Sequence, residues 1–326
     1  MTLSMPFRMT TAILTVCAAA LLGAPALAQV QPTYIPAPPP LPADQLPAVV
    51  DAAKRAAIKP IAPDKIILVG DSTTQVGSGW GGAFCDNHVT SFLSCVNLAR
   101  GGRGTFDYRA EGSWDIALGE MKVPGYRHVY VLIQFGHNDQ PGKPGRSTDL
   151  YTEYPANLAR YVTEARAAGA IPVLVTPLTR RSFKDGSLQA DLNAWAEAVR
   201  KVAADMNVPL VDLNKVSTDA VQAMGPAAAI SLAEAAPPQF VIDAAKTGTT
   251  VGAPKDGKPA PETANETLDT PQGHPTVVFD YTHLGPKGAE YFAHMVTVQL
   301  AKAVPDLRHE LVDKLYPTPY DMPAGY

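Results

Sequence analysis

"KIILVGDSTTQVGSGWGG", residues 65–82, is the stretch on which the reading of this chain turns. A run of apolar residues ends at Val69-Gly70, and the polar cluster Asp71-Ser72-Thr73-Thr74 follows at once. A short apolar run closed by turn residues reads as a buried strand. Two roles are then open to Ser72. Its hydroxyl can cap a helix that begins after it. Alternatively it is a nucleophile, provided that other parts of the chain supply a base and an oxyanion hole. Leu68 to Thr74 does not spell G-x-S-x-G, which argues against the nucleophile elbow of the α/β-hydrolases.

Outward from that stretch, strand-like and helix-like segments alternate. "CVNLA" (95–99), "HVYVLIQFG" (128–136), "IPVLVTP" (171–177) and "VPLVDL" (208–213) are short apolar runs. Between and after them, 150–170, 188–207 and 286–304 carry helical periodicity. The alternation predicts a parallel sheet with helices on both faces, whose ligand site lies beyond the carboxyl ends of the strands. Ser72, Gly102 and Asn138 all follow strand-like runs and could converge there.

The flanks are different in kind. Residues 1–28 hold one charged side chain, Arg8, an apolar run and a terminal Ala-Leu-Ala, which predicts a signal peptide cleaved before Gln29. Its removal takes away one Arg and no acid, so the formal charge moves from −4 to −5. Export to the periplasm or the medium is the expected localisation. A membrane anchor is the competing reading of the same residues. No later segment is apolar enough to cross a bilayer, and a mildly acidic chain has no electrostatic footprint for nucleic acid. Residues 29–59 form a proline-rich segment, the main domain is expected at 60–304, and 305–326 form a tail. Within the domain, 225–276 reads as an insertion without period, its first part rich in Ala and Pro and its remainder polar. With Cys17 in the signal, Cys85 and Cys95 remain, and an even pair in an exported chain reads as a disulfide rather than two free thiols.

Asp280 and His283, three apart in "DYTHLGPKG" (280–288), fit one short loop that carries both a base and the acid that orients it. A lone D-x-x-H can equally be a helix-capping Asp beside an exposed His. Gly102 in "GGRG" and Asn138 in "GHND" are a turn and a loop residue when taken alone. Backbone N–H groups and an Asn amide are nonetheless the donors that an oxyanion needs. His137 is a second base candidate without an acid in register, and Asp139 reads as a turn cap.

Taken in order, "GDST" (70–73), "NLARGGRGTFDYRAEGSW" (97–114), "QFGHND" (134–139) and "DYTHLGPKG" resemble the four blocks of the SGNH (GDSL-type) hydrolases. The details look like the rhamnogalacturonan acetylesterase family of carbohydrate esterases, over about 65 to 302 without the insertion. The resemblance implies a three-layer α/β/α sandwich with a five-stranded parallel sheet, flavodoxin-like in type. It implies Ser72 as nucleophile, His283 as base, Asp280 as its acid, and Ser72, Gly102 and Asn138 as oxyanion donors. No metal or organic cofactor is implied. The expected substrate is an acetylated polysaccharide, with Trp80 and Trp114 as candidates for stacking on sugars and Arg103 for a uronate carboxylate. Family members commonly read Gly-Arg-Ser where this chain has Gly102-Arg103-Gly104. A lipase- or thioesterase-like activity on longer acyl esters and a silent carbohydrate-binding protein are the alternatives.

Overall fold

A computed structural model describes residues 58–59, 61–251, 254–255, 258–259 and 278–314. The expected signal peptide, nearly all of the proline-rich segment, the end of the tail and most of 252–277 therefore lie outside the described residues. A boundary between two units of the chain falls at Lys59–Pro60, and everything below concerns the second.

Five parallel strands form the sheet, in the order β2-β1-β3-β4-β7. They are β1 (Asp64–Gly70), β2 (Leu93–Asn97), β3 (Val129–Gln134), β4 (Ile171–Val175) and β7 (Leu210–Val211), with a small hairpin of β5 (Phe183–Lys184) and β6 (Ser187–Leu188) between the last two. Every residue of β1 and β3 is buried, as strands covered on both faces require. The two charged residues that this burial encloses are paired. Lys65 reaches Glu120 at 2.7 Å, and the Asp64 carboxylate takes a guanidinium N–H of Arg127 at 2.7 Å.

The period of two along each strand sorts side chains between two cores. Ile66, Leu68, Tyr130 and Leu132 face one layer, with Phe84 of α1 (Gly81–Asn87) and Phe292 and Val296 of α9 (Pro286–Ala303). Ile67, Val69, Val131 and Ile133 face the other. There they meet Trp114 of α3 (Ser113–Met121), Tyr161 of α4 (Glu153–Ala167) and Val199 of α5 (Asn193–Asp205). The short α2 (Asp107–Ala110) precedes that layer. The fold expected from the alternation is thus present. Among the described residues no helix is long and apolar enough to cross a membrane.

Three local expectations change. β7 is two residues long rather than six, because Asp212 turns its carboxylate to the Lys215 N–H and caps α6 (Leu213–Met224). The helix expected from 188 starts at Asn193, since Ser187–Leu188 belongs to the hairpin. The insertion is ordered at its start, with α7 (Pro226–Ala229), a 3₁₀ turn and α8 (Gln239–Lys246). Ile230, Val241 and Ala245 bury against Phe279 and Tyr281, so this segment builds a small core of its own around the residues that flank Asp280.

Cys85 on α1 and Cys95 on β2 are disulfide-bonded, with Cα atoms 5.5 Å apart. The bond ties the helix that follows the Ser72 turn to the edge of the sheet.

Candidate active site

The strand order reverses between β1 and β3, where a crevice opens at the carboxyl edge. Gly70 and Gln134 are opposite in register, so the chain beyond each leaves the sheet at the same end. On the other side of β1, the Arg100 N–H bonds the Gly70 carbonyl at 2.9 Å and carries the β2 chain out to Gly101-Gly102. Ser72, Gly102 and Asn138 reach one edge for these reasons of register.

Ser72 sits in a turn rather than at the head of a helix, since residues 71–80 are turns and bends and α1 begins at Gly81. The turn is made by Asp71, whose Oδ1 accepts from the Thr73 N–H at 2.9 Å and the Thr73 hydroxyl at 2.7 Å. Behind it, Gln134 Nε2 donates to Thr73 Oγ1 at 2.5 Å and Gln134 Oε1 accepts from Trp80 Nε1 at 2.9 Å. Trp80 is fully buried. The sugar-stacking role expected of it is corrected: its ring is a strut beneath the serine turn. Trp114 is also buried, edge-on to Tyr161 and donating to Glu164 at 2.6 Å, so it offers no face to a sugar either.

His283 and Asp280 come from late in the chain. His283 Nε2 lies 2.8 Å from Ser72 Oγ, and His283 Nδ1 lies 2.6 Å from Asp280 Oδ2. Asp280 Oδ1 accepts from the backbone N–H groups of Thr282 and His283, both at 2.6 Å. With Nδ1–H directed at the carboxylate, the Nε2 lone pair is the acceptor for the serine proton. Burial opposes a charge on the ring, but Asp280 more than offsets it and holds His283 above its ordinary range. Burial likewise opposes the Asp280 charge, and the ring holds that carboxyl below its usual range.

Sequence reasoning missed what fixes this loop. Arg181 is fully buried and donates to three successive parts of it: the carbonyls of Asp280 at 3.4 Å, Thr282 at 3.2 Å and His283 at 2.7 Å. Its backbone N–H adds a bond to the Tyr281 carbonyl at 2.9 Å. Burial pushes the guanidinium down to about 10. From the insertion, the Glu234 N–H bonds the His283 carbonyl, and Ala233 bridges Leu284. The only sequence signal was an Arg pair, Arg180-Arg181, just beyond a strand.

On the oxyanion side, Gly102 has φ +77°, a left-handed conformation that favours glycine. Asn138 is held at both ends of its amide. Nδ2 donates to the Arg103 carbonyl at 3.1 Å, and Oδ1 accepts from Lys143 Nζ at 3.2 Å. Lys143 also donates to the His137 carbonyl at 2.8 Å, and burial pushes its ammonium down to about 8. Arg103 is engaged by Glu111 at 2.9 Å and the Gly101 carbonyl at 2.8 Å, which does not suit the uronate contact expected of it.

His137 is buried and faces Asp71, not Ser72, with Nδ1 3.4 Å from Asp71 Oδ2. Burial drives its ring below the ordinary range. It is a framework group rather than a second base. Asp139 is more than a turn cap: it is buried, accepts from the Thr105 N–H, the Thr105 hydroxyl and the Thr148 hydroxyl, and is raised by burial to about 6. A Cβ at position 104 would stand 3.1 Å from that carboxyl and 3.2 Å from the Arg146 carbonyl. Such a fit is tight, so a side chain there would need the Asp139 carboxyl or the Arg146 carbonyl to shift by a few tenths of an ångström.

A groove of about 630 Å³ runs along α1 and α9, lined by Val76, Ser78, Asp86, Glu234, Leu284 and Pro286 but by neither Ser72 nor His283. Among the described residues no group of three or more His, Cys, Asp or Glu side chains is arranged to hold a metal ion.

The GDSL-like Lipase/Acylhydrolase family profile matches residues 68–290. Two Bacillus subtilis (strain 168) proteins are similar in sequence. A probable rhamnogalacturonan acetylesterase, YesY, is 34% identical over 47% of this chain and 71% of its own length. The rhamnogalacturonan acetylesterase RhgT is 34% identical over 50% of this chain and 71% of its own. Among solved structures, the Bacillus subtilis protein YXIM aligns with TM-score 0.52 at 21% identity, over 75% of this chain and 58% of that one. The last likeness is one of fold.

Proposed function

The chain belongs to the GDSL-like lipase/acylhydrolase family, and from that premise we propose that it is an exported serine esterase removing O-acetyl groups from a polysaccharide, rhamnogalacturonan or acetylated xylan. The observation that carries the proposal is the unbroken hydrogen-bonded line from Ser72 Oγ through His283 to Asp280. The apolar leader and the Cys85–Cys95 bond support export.

His283 Nε2 takes the Ser72 proton as Oγ attacks the acetyl carbonyl, and the imidazolium that forms is stabilised by Asp280. Negative charge collects on the former carbonyl oxygen, where the N–H groups of Ser72 and Gly102 and the Asn138 amide donate to it. The carbonyl re-forms as the sugar oxygen leaves with the proton from His283. Water, deprotonated by the same ring, then attacks the acetyl-serine and releases acetate.

The test is acetate release from acetylated rhamnogalacturonan and acetylated xylan by wild type beside Ser72→Ala. Release by the wild type alone is expected. Release by both proteins, or by neither while short esters are still cleaved, would overturn the reading.

A further inference from the structure

Cations gather on one flank of Ser72, with carboxylates among them. On the Gly102–Asn138 flank stand Lys143, Arg146 and Arg180, whose mutual repulsion contributes to the lowered Lys143.

Nearly every cation of this flank has an internal partner. Lys143 holds Asn138 and the His137 carbonyl. Arg180 binds Asp191, Gln140 and Thr282, and Arg103 binds Glu111. Arg146 is different. Among the described residues its guanidinium makes no hydrogen bond or ion pair. It stands over the oxyanion glycine, with one terminal nitrogen 3.3 Å from where a Gly102 Cβ would be. Its backbone is fixed: the Arg146 N–H bonds the Lys143 carbonyl, and the Thr148 N–H two residues on bonds the Asp139 carbonyl. Asp107 is the near carboxylate, but it accepts from the Gly104 N–H and feels Arg146 only across a gap.

A part-exposed guanidinium with a free planar fork, standing over the oxyanion glycine, is suited to bind a carboxylate in bidentate fashion. We propose that Arg146 is the specificity-determining residue for a uronate carboxylate close to the scissile ester. The proposal rests on the acetylesterase reading above. It moves the uronate contact from Arg103 to Arg146.

The experiment compares kcat/KM for acetate release from acetylated rhamnogalacturonan oligosaccharides, which carry uronates, with that from neutral acetylated xylo-oligosaccharides. Wild type, Arg146→Gln and Arg146→Lys are assayed. Arg146→Gln is expected to lower the uronate-to-neutral ratio by about tenfold or more through KM, as loss of a charge-assisted bond does. Arg146→Lys keeps the charge without the fork and should fall between. An equal fall on both substrates, the mark of a general aid to the oxyanion, would overturn the proposal, as would an unchanged ratio. If the wild type deacetylates neither polymer, the acetylesterase reading fails separately. Calorimetric titration with deacetylated rhamnogalacturonan oligosaccharide then decides. Binding that Arg146→Gln weakens sustains the carboxylate subsite, and absent or equal binding removes it.

Discussion

The two halves of the site are held in place by different means. Ser72, Gly102 and Asn138 leave the sheet from strands in fixed register, so the hydrogen bonds that make the fold also place them. Asp280 and His283 are on no strand. Their loop is gripped by one buried arginine from beyond β4 and propped by the insertion through Ala233, Glu234 and a small apolar core. The nucleophile half comes with the architecture, whereas the base half depends on a few side chains.

Removing either chemical partner should have the largest effect. Ser72→Ala and His283→Ala are each expected to cost roughly 10⁴-fold or more in kcat with the circular dichroism unchanged. An unfolded Ser72→Ala would make the turn structural and dissolve the contrast.

Next comes the clamp. Arg181→Met removes the guanidinium from three loop carbonyls, of which that of His283 keeps the Glu234 N–H, and unsatisfied buried groups cost about 1–3 kcal/mol each. Lower thermal stability and a kcat loss of roughly 10²-fold are expected, since misplacing a reacting group costs about that much. Full activity in this variant would show that the insertion holds the loop alone.

Lys143 probes the other half more gently. Its ammonium, pushed down to about 8, holds Asn138 by a charge-assisted bond while protonated. Arg180, Arg146, Asp71 and Asp139 all bear on that charge. Above about pH 8 the amine still donates but its charge is lost and the bond weakens, so kcat/KM should decline on the alkaline side. Lys143→Gln should abolish that decline at a cost of about tenfold in kcat, the lower range for weakening an oxyanion donor. An alkaline limb that survives the substitution would assign it to another group.

The smallest effect concerns His283, which must be neutral to accept the serine proton. Because its range is raised, activity should fall with decreasing pH while still above the ordinary imidazole value of about 6.5. The Glu234 carboxylate contributes to that raise, so Glu234→Gln should shift the acid limb downward by a fraction of a unit. A limb unmoved by Glu234→Gln would mean that the insertion steadies the loop without tuning it.

Much of this was legible in the sequence, and the rest was not, for physical reasons. β1 and β3 announce themselves because a strand buried on both faces must be apolar throughout, and α9 because Gly285-Pro286 opens it. The capping role open to Ser72 could not be excluded in advance because Asp and Ser favour both turns and helix starts. Trp80 and Trp114 lie beside site motifs in the chain, yet adjacency in sequence does not say which way a ring faces, and both face inward. Arg181 could not be found at all: a buried arginine is recognised by what it binds, and its partners here are carbonyls about a hundred residues away.

Ser72 and His283 are separated by 211 residues of chain. During synthesis the serine, its turn, both other oxyanion donors and all five strands are made before the base leaves the ribosome. On the proposed chemistry a nascent chain therefore carries an unactivated hydroxyl for most of its growth, until the segment bearing Asp280 and His283 has been made.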